Sequence, residues 1–274
     1  MTGQAFGGIW TEAKLRVIES YLEFYATALK RQKFQLCYID AFAGSGRIEL
    51  NDGTEVDGSA IRALKYNFDA FLFAEKKRQV IKELEDRVNS DFPDVAKRVT
   101  FKNEDCNDVL MKIDEKDWLG GHWRGVIFLD PYAMQLSWEC LERISNTKAL
   151  DVWYLFPFSA VNRNLNRNKK IHEANKKIIS KILGTDDWEE AIYKESDQMT
   201  LFDQVDYEKE DTQGIKNYIL DRLRSVFPTV SDNAVLLKNA KNSPYFLLCF
   251  AGSNPSQKAK SLSLKVADYL LDKI

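Results

Sequence analysis

The hydrophobic pattern along the chain changes period repeatedly, and each change marks an element. Leu15, Ile18, Leu22, Tyr25 and Leu29 recur at three- and four-residue steps, which predicts an amphipathic helix capped by Thr11 and running to about Arg31. Residues 34–42 (FQLCYIDAF) then form a nearly continuous apolar run ending in Ala43-Gly44-Ser45-Gly46, the pattern of a buried strand and a tight turn. A polar loop is expected over 50–58, with Ser59 capping a short helix through 61–67. Further strands are predicted over 68–74, 98–102, 125–129 and 150–156, separated by helices over 77–89 and 138–145 and a helical turn after Asp105. Past Phe156 lies a long polar segment with helical patches. Strands at 234–238 and 245–251 follow, then a helix opened by Asn254-Pro255 with proline at its first position.

Alternation of strands and helices predicts an α/β, Rossmann-like, doubly wound sheet of seven mostly parallel strands with helices on both faces. The last two strands lie too close for a helical crossover, so an antiparallel C-terminal pair is expected. The expected organisation is an N-terminal helical extension (1–33), a ligand-binding core (34–160), a polar helical insertion (161–230), and a C-terminal strand pair and helix completing the core (231–274).

Composition narrows the classes. At 274 residues with 45% hydrophobic and 29% charged positions, one large globular domain is expected rather than disorder or a collagen-like chain. Lys and Arg number 39 against 41 Asp and Glu, so bulk electrostatic coating of nucleic acid is excluded while a local basic patch is not. That balance conceals a contrast. Residues 161–181 hold seven Lys or Arg and one Glu, whereas residues 184–211 hold eleven Asp or Glu and two Lys. No run approaches the length of a membrane span and the N-terminus lacks signal-peptide character, so no membrane contact and a cytoplasmic location are expected. Cys37, Cys106, Cys140 and Cys249 stand far apart and histidines number two, His122 and His172, so reduced buried thiols and no metal site are expected.

In open parallel sheets ligands sit beyond the carboxyl ends of the strands. The residues closing the strands form an ordered series here: Asp40 with Gly44 and Gly46, then Glu75, Asp105 and Asp130. A nucleoside-containing cofactor needs a glycine turn, a carboxylate for ribose and a polar group for the adenine edge, and this series supplies all three. Each signal has a plainer reading: a GxG can be a simple turn, Glu75 a solvated helix start, Asp105 an N-cap for residues 107–111. Gly46 is followed by Arg47-Ile48-Glu49 and a polar loop rather than a third glycine and a helix, which disfavours a nicotinamide dinucleotide. A P-loop is excluded because no Gly-Lys-Ser/Thr follows.

Asp40-Ala41-Phe42-Ala43-Gly44-Ser45-Gly46 resembles motif I of class I S-adenosylmethionine-dependent methyltransferases, and Asp130-Pro131-Tyr132 resembles their motif IV. More specifically, WTEAKL (10–15), YIDAFAGSGR (38–47), GSAIRAL (58–64), FLDPYAMQLSWECLERI (128–144) and DVWYLFPFSAVNR (151–163) resemble the three-Cys-motif partner (TcmP) proteins. That bacterial family is described as methyltransferase-like, with a three-cysteine radical-SAM-like protein as partner and no settled substrate. The AGSGR segment is also locally similar to a bacterial enzyme that methylates adenine N6 in large-subunit ribosomal RNA.

The resemblance implies S-adenosylmethionine as cofactor, with Gly44 and Gly46 approaching its methionine part and Glu75 holding the ribose hydroxyls; Asp105, by its position after the third strand, would meet the adenine edge with Cys106 beside it, and Asp40, Phe42, Ala43 and Lys76 are further cofactor-binding candidates. It implies catalysis on an exocyclic amine, adenine N6 by preference, with the Asp130 carboxylate and the Pro131 carbonyl accepting the amino hydrogens and Tyr132 stacking on the base. Motif IV departs from its relatives in having one proline where amino-methyltransferases have two. Arg163, Arg167, Lys169 and Lys170 are candidate phosphate contacts, or equally a solvated helix face. The acidic stretch, with Met199, Leu201 and Phe202, would dock a protein partner, shield a basic groove or form a loop cover. Trp118, Trp123, Trp138, Trp153 and Trp188 read as core, while Trp10 and Lys14 sit where a lid over the cofactor or simple helix packing would place them. The competing functions are a nucleic-acid methyltransferase, a methyltransferase-like binding subunit and a small-molecule methyltransferase.

Overall fold

The computed structural model describes residues 9–50, 52–113, 115–166, 169–195 and 207–274. Its first half runs α1 (Ile9–Leu29), β1 (Gln35–Asp40), β2 (Arg47–Glu49), β3 (Glu55–Asp57), α2 (Ser59–Ala63), β4 (Ala70–Ala74), α3 (Arg78–Asp91), α4 (Pro93–Ala96), β5 (Val99–Lys102), α5 (Cys106–Met111), α6 (Glu115–Leu119) and β6 (Trp123–Leu129). The second half runs α7 (Trp138–Asn146), β7 (Leu150–Phe156), α8 (Phe158–Asn164), α9 (Glu173–Leu183), α10 (Trp188–Ile192), β8 (Tyr193–Glu195), β9 (Tyr207–Lys209), α11 (Thr212–Arg224), β10 (Thr229–Val230), β11 (Val235–Lys238), β12 (Pro244–Gly252) and α12 (Gln257–Leu271).

The main sheet has the order β10-β12-β7-β6-β1-β4-β5, with β11 also on β12, eight strands in all. Neighbours from β7 to β5 pair in parallel, and β12 runs antiparallel to β7, β10 and β11. The expected doubly wound sheet with an antiparallel C-terminal pair is thus observed. The eighth strand is β10, whose two residues are too short to show a period.

Strand periodicity divides the core. Val152, Tyr154 and Phe156 of β7 join Cys37, Ile39, Ile127 and Cys249 under α5, α7, α9, α10 and α11. Trp153 and Leu155 point the other way, with Leu36, Tyr38, Val126, Phe128 and Phe250, under α1, α2, α3 and α12. Apolar residues on both faces are what made these strands read as continuous runs. Gly125 of β6 is required by close approach: a Cβ there would stand 2.6 Å from the Cys37 carbonyl oxygen and 2.8 Å from Leu150.

Four local expectations are corrected. Thr11 does not cap α1, which already includes Ile9 and Trp10 and buries Thr11 within its first turn. The polar loop at 50–58 is partly a hairpin, β2 pairing antiparallel with β3 around Gly53, whose φ of 82° suits glycine. The Asp52 carboxylate accepts from the Thr54 N–H at 2.9 Å, and Arg47 pairs with Glu55 at 2.9 Å. Ser59 does not cap α2; Gly58 holds the N-cap position and the Ser59 hydroxyl is spent on Asp40. Pro255 precedes the Ser256 N-cap of α12 rather than opening the helix. All four cysteines are buried and free of disulfides. Among the described residues, no helix is long and apolar enough to cross a membrane, and no group of three or more His, Cys, Asp or Glu is placed to hold a metal.

α1 is tied to the sheet by a buried contact, Tyr21 donating its hydroxyl proton to Asp151 Oδ2 at 2.7 Å. Burial pushes the Asp151 carboxyl up to about 7, against the opposing pull of the Tyr21 hydrogen bond and the Arg124 charge, and pushes that of Asp40 up to about 6. Both groups bind a proton more tightly folded than unfolded, so between about pH 4 and 7 the native state holds more protons and stability falls as pH rises. The thermal midpoint is therefore expected to drop by a few degrees from about pH 5.5 to pH 8 in a calorimetric series, and Asp151→Asn to flatten that slope. A flat wild-type profile would contradict it.

Candidate active site at the carboxyl ends of the strands

The site begins with the turn after β1. Gly44 and Gly46 adopt φ of 59° and 74°, the left-handed region open to glycine. Around Gly44 a Cβ would meet nothing within 4 Å, so that side is open space. At Gly46 it would stand 2.7 Å from both Ile61 and Leu84, so this glycine lets the turn press onto α2 and α3. The Gly46 carbonyl accepts from the Gly58 N–H at 2.9 Å and from Arg87 Nη1 at 2.8 Å, and Ala43 N–H donates to the Ala74 carbonyl at 2.9 Å.

Asp40 lies beneath this turn, fully buried, and does not line the opening. Its Oδ2 accepts from the Ser59 hydroxyl at 2.6 Å and the Tyr38 hydroxyl at 3.3 Å, and its Oδ1 accepts from the Phe42 N–H at 3.2 Å. Desolvation raises its carboxyl while these bonds offset part of the cost. Its observed contacts hold the turn in shape.

Above the turn is a cleft of about 580 Å³. Phe42, Ala43, Gly44, Gly46, Glu75, Lys76, Asp105, Cys106, Asp130, Pro131 and Tyr132, gathered from four strand ends, all line it. Glu75 uses Oε1 to accept from the Lys77 N–H at 2.8 Å. Asp105 does cap α5: its Oδ1 accepts from the Asn107 N–H at 2.9 Å, while Lys76 Nζ lies 3.2 Å from Oδ2. Although partial desolvation opposes it, the Asn107 N–H and Lys76 hold this carboxyl below its usual range. Burial lifts the Cys106 thiol to about 12, so it is a packing group rather than a nucleophile.

Several residues of the cleft come from outside the strand-end series. Lys14 of α1, only 4% exposed, forms an ion pair with Asp130 Oδ2 across 116 residues of sequence. Its ammonium also lies 4.9 Å from the Trp10 ring centroid. Trp10 in turn packs 5.1 Å from Phe246 and 6.0 Å from Tyr245, so α1 and β12 close one wall with aromatic rings. Tyr132, 60% exposed, stands on the loop after β6, where its N–H donates to Gln135 Oε1 at 3.2 Å.

Asn107 joins two parts of the cleft. Its Nδ2 donates to Asp105 Oδ1 and to the Gln135 carbonyl, both at 3.0 Å, and its Oδ1 accepts from the Ser137 N–H at 2.8 Å and from Cys140 Sγ at 3.3 Å. The loop carrying Pro131 and Tyr132 is thereby fastened to the loop carrying Asp105. Asn107→Ala is expected to cost about 2 kcal/mol in denaturant melts by leaving these partners unsatisfied. Asn107→Asp should cost at least as much, because a carboxylate cannot donate to Asp105.

The basic run is placed elsewhere. Arg163, Lys169 and Lys170 do not line the cleft; Arg163 Nε donates to the Ser159 carbonyl on its own helix and the Lys169 ammonium lies 4.3 Å from the Tyr207 ring centroid. The cations that do line it are Lys14, Arg47, Lys76 and Lys77. Arg167, Met199, Leu201 and Phe202 lie outside the described residues. His172 caps α9 through Nδ1 and His122 is exposed, so neither reaches the cleft.

The chain is similar in fold to Legionella pneumophila protein LPL1258. That likeness has a TM-score of 0.50 at 12% identity, covering 94% of this chain and 91% of that one. The methyltransferase domain of bacterial CtHen1 matches with a TM-score of 0.40 at 11% identity over 86% of this chain and 98% of its own. The N-terminal domain of EvdMO1, crystallised with S-adenosylhomocysteine and D-fucose, matches with a TM-score of 0.41 at 9% identity over 86% and 82%. No protein-family model matches the sequence, and no curated protein does.

Proposed function

We propose that the chain is an S-adenosylmethionine-dependent methyltransferase acting on an exocyclic amino group of nucleic acid, adenine N6 by preference. The observation that carries this reading is one cleft lined by the open side of the glycine turn, by Glu75 and Asp105, and by Asp130-Pro131-Tyr132. The residues fit the cofactor. Gly44 leaves space for its methionine part, Glu75 keeps Oε2 for ribose hydroxyls, and Asp105 is pinned beside Cys106 for the adenine edge, with exposed Lys76 able to move off Oδ2. When bound, the cofactor supplies a sulfonium-activated methyl group.

The chain's own residues position the acceptor. An exocyclic amine is a weak nucleophile because its lone pair is delocalised into the ring, so its hydrogens must be held and one must be taken up. Asp130 and the Pro131 carbonyl are the acceptors, and Tyr132 is the stacking surface. Because Lys14 occupies Oδ2, Oδ1 of Asp130 is the oxygen left for the amine. Phosphates of a nucleic acid would meet Arg47, Lys76 and Lys77 at the rim before the run at 163–170.

A second reading, a weakly catalytic partner subunit of a three-cysteine radical-SAM-like protein, follows from the TcmP resemblance. The Lys14–Asp130 pair and the single proline of motif IV favour it. In that reading the insertion at 161–230 is the partner surface; in the first it is a target-recognition surface. Transfer of labelled methyl to RNA and to DNA, with and without the partner, decides between them. Labelling by the chain alone that vanishes in Asp130→Ala supports the enzyme. Labelling unchanged in Asp130→Ala refutes the catalytic assignment, and binding of S-adenosylhomocysteine without transfer under either condition supports the subunit.

A further inference from the structure

The opposite end of the sheet carries a second cleft, of about 420 Å³, between the later turns of α1 and the start of α12. Its floor is Asp151, 9% exposed. Among the described residues Tyr21 is the one hydrogen-bond donor to this carboxylate, which leaves Oδ1 without a partner. Gly252, its neighbour across β7 and β12, keeps that side clear, since a Cβ there would stand 3.3 Å from Oδ1. The buried Tyr25 hydroxyl, also at the cleft, enters no hydrogen bond within the described chain. Two polar groups with unused capacity, on largely buried residues facing a concave opening with Phe24 and Phe34 in its wall, are the ordinary make-up of a small-molecule site.

The walls restrict what fits. Phe24 and Phe34 supply apolar faces, and the Arg124 guanidinium lies 4.4 Å from the Phe34 ring centroid, extending that face with a flat cationic surface. Lys258 stands at the rim. Arg124 and Lys258 together outweigh Asp151, which selects against cationic amines and accommodates an anionic substituent. We propose that this rear cleft binds a neutral planar nitrogen heterocycle, its N–H groups donating to Asp151 and its ring lying against the aromatic wall. The burial that lifts the Asp151 carboxyl to about 7 agrees with a group short of donors. α1 also links the two clefts: Tyr21 on the rear floor and Lys14 in the front cleft are seven residues, or about 10 Å, apart on one helix.

The test uses adenine as a neutral purine with N–H donors and 1,3,7-trimethylxanthine as a purine without them, each titrated calorimetrically into the full chain. Asp105→Ala is carried in every protein titrated, so that the adenine edge of the front cleft takes no part; in that background Ala259→Trp fills the rear mouth and Asp151→Asn removes the carboxylate. Adenine is expected to bind the Asp105→Ala protein, and at least tenfold more weakly once Ala259→Trp or Asp151→Asn is added. Trimethylxanthine is expected to bind the Asp105→Ala protein at least tenfold more weakly than adenine. Adenine binding that survives Ala259→Trp in this background overturns the rear site. Equal affinity for the two purines overturns the role of Asp151, and no binding of adenine overturns the proposal.

Discussion

Asp130→Ala is expected to reduce methyl transfer at least ~100-fold, the usual scale of a lost proton acceptor, while leaving S-adenosylhomocysteine affinity within about twofold. The division follows from position. Asp130 follows β6, on what the proposed function makes the acceptor side of the cleft, whereas the glycine turn, Glu75 and Asp105 follow β1, β4 and β5. The variant also strands the buried Lys14 ammonium. Losing one member of a fully buried pair costs about 3–5 kcal/mol, but the Asp130 side chain is 26% exposed, so about 1–3 kcal/mol is expected. Lys14→Met separates the two effects, since it removes the charge, keeps the stem against Trp10 and leaves Asp130 in place. Stability close to wild type in Lys14→Met, with transfer altered, identifies the pair as a device for orienting Asp130. If Asp130→Ala transfers methyl normally, the amine is held elsewhere.

Gly44→Ala and Gly46→Ala should fail in opposite ways, although the two residues are one apart and both left-handed. A left-handed alanine costs about 1–2 kcal/mol at either position. At Gly44 the new methyl meets nothing within 4 Å and projects into the open side of the turn, so the main loss is in cofactor affinity, about tenfold or more by calorimetry. At Gly46 it must displace Ile61 and Leu84 from 2.7 Å, adding about 1–3 kcal/mol of overpacking between α2 and α3. Denaturant melts should therefore show about 2–5 kcal/mol lost in Gly46→Ala against about 1–2 in Gly44→Ala. Equal melts with unchanged affinity in Gly44→Ala would show that the turn does not face the cofactor.

The sheet was readable because its central strands are apolar on both faces and β1, β4 and β6 run directly into Asp40, Glu75 and Asp130, so run length and punctuation agree. The hairpin β2–β3 escaped because its strands are three residues each and bury none of them, too short for an alternation to stand out. Its signal was the Asp52-Gly53 pair, which belongs to tight turns. In the site, Glu75, Asp105 and Asp130 were legible from topology alone, since strand order brings carboxyl ends to one rim. Asp40 shares their position at a strand end but points under the turn, a difference of side-chain direction that spacing does not encode. Lys14, Asn107, Tyr245 and Phe246 became part of the cleft through packing between distant segments. Charge alone did not single out Lys14, since α1 also carries Glu12, Arg16, Glu19 and Glu23. The basic run at 163–170 read equally as phosphate contacts or as a solvated helix face, and Arg163, Lys169 and Lys170 lie off the cleft, because charge spacing does not encode where the chain travels past β7.

The margins of the main sheet offer little to another chain. One side ends in β5, four residues long and closed by Lys102; the other is divided between β10, of two residues, and β11, of four with a register shift before Lys238. A strand from a second molecule would find no unbroken ladder longer than four residues to extend. The margins of this sheet are therefore poor templates for edge-to-edge polymerisation, which the protein should resist along them even when concentrated.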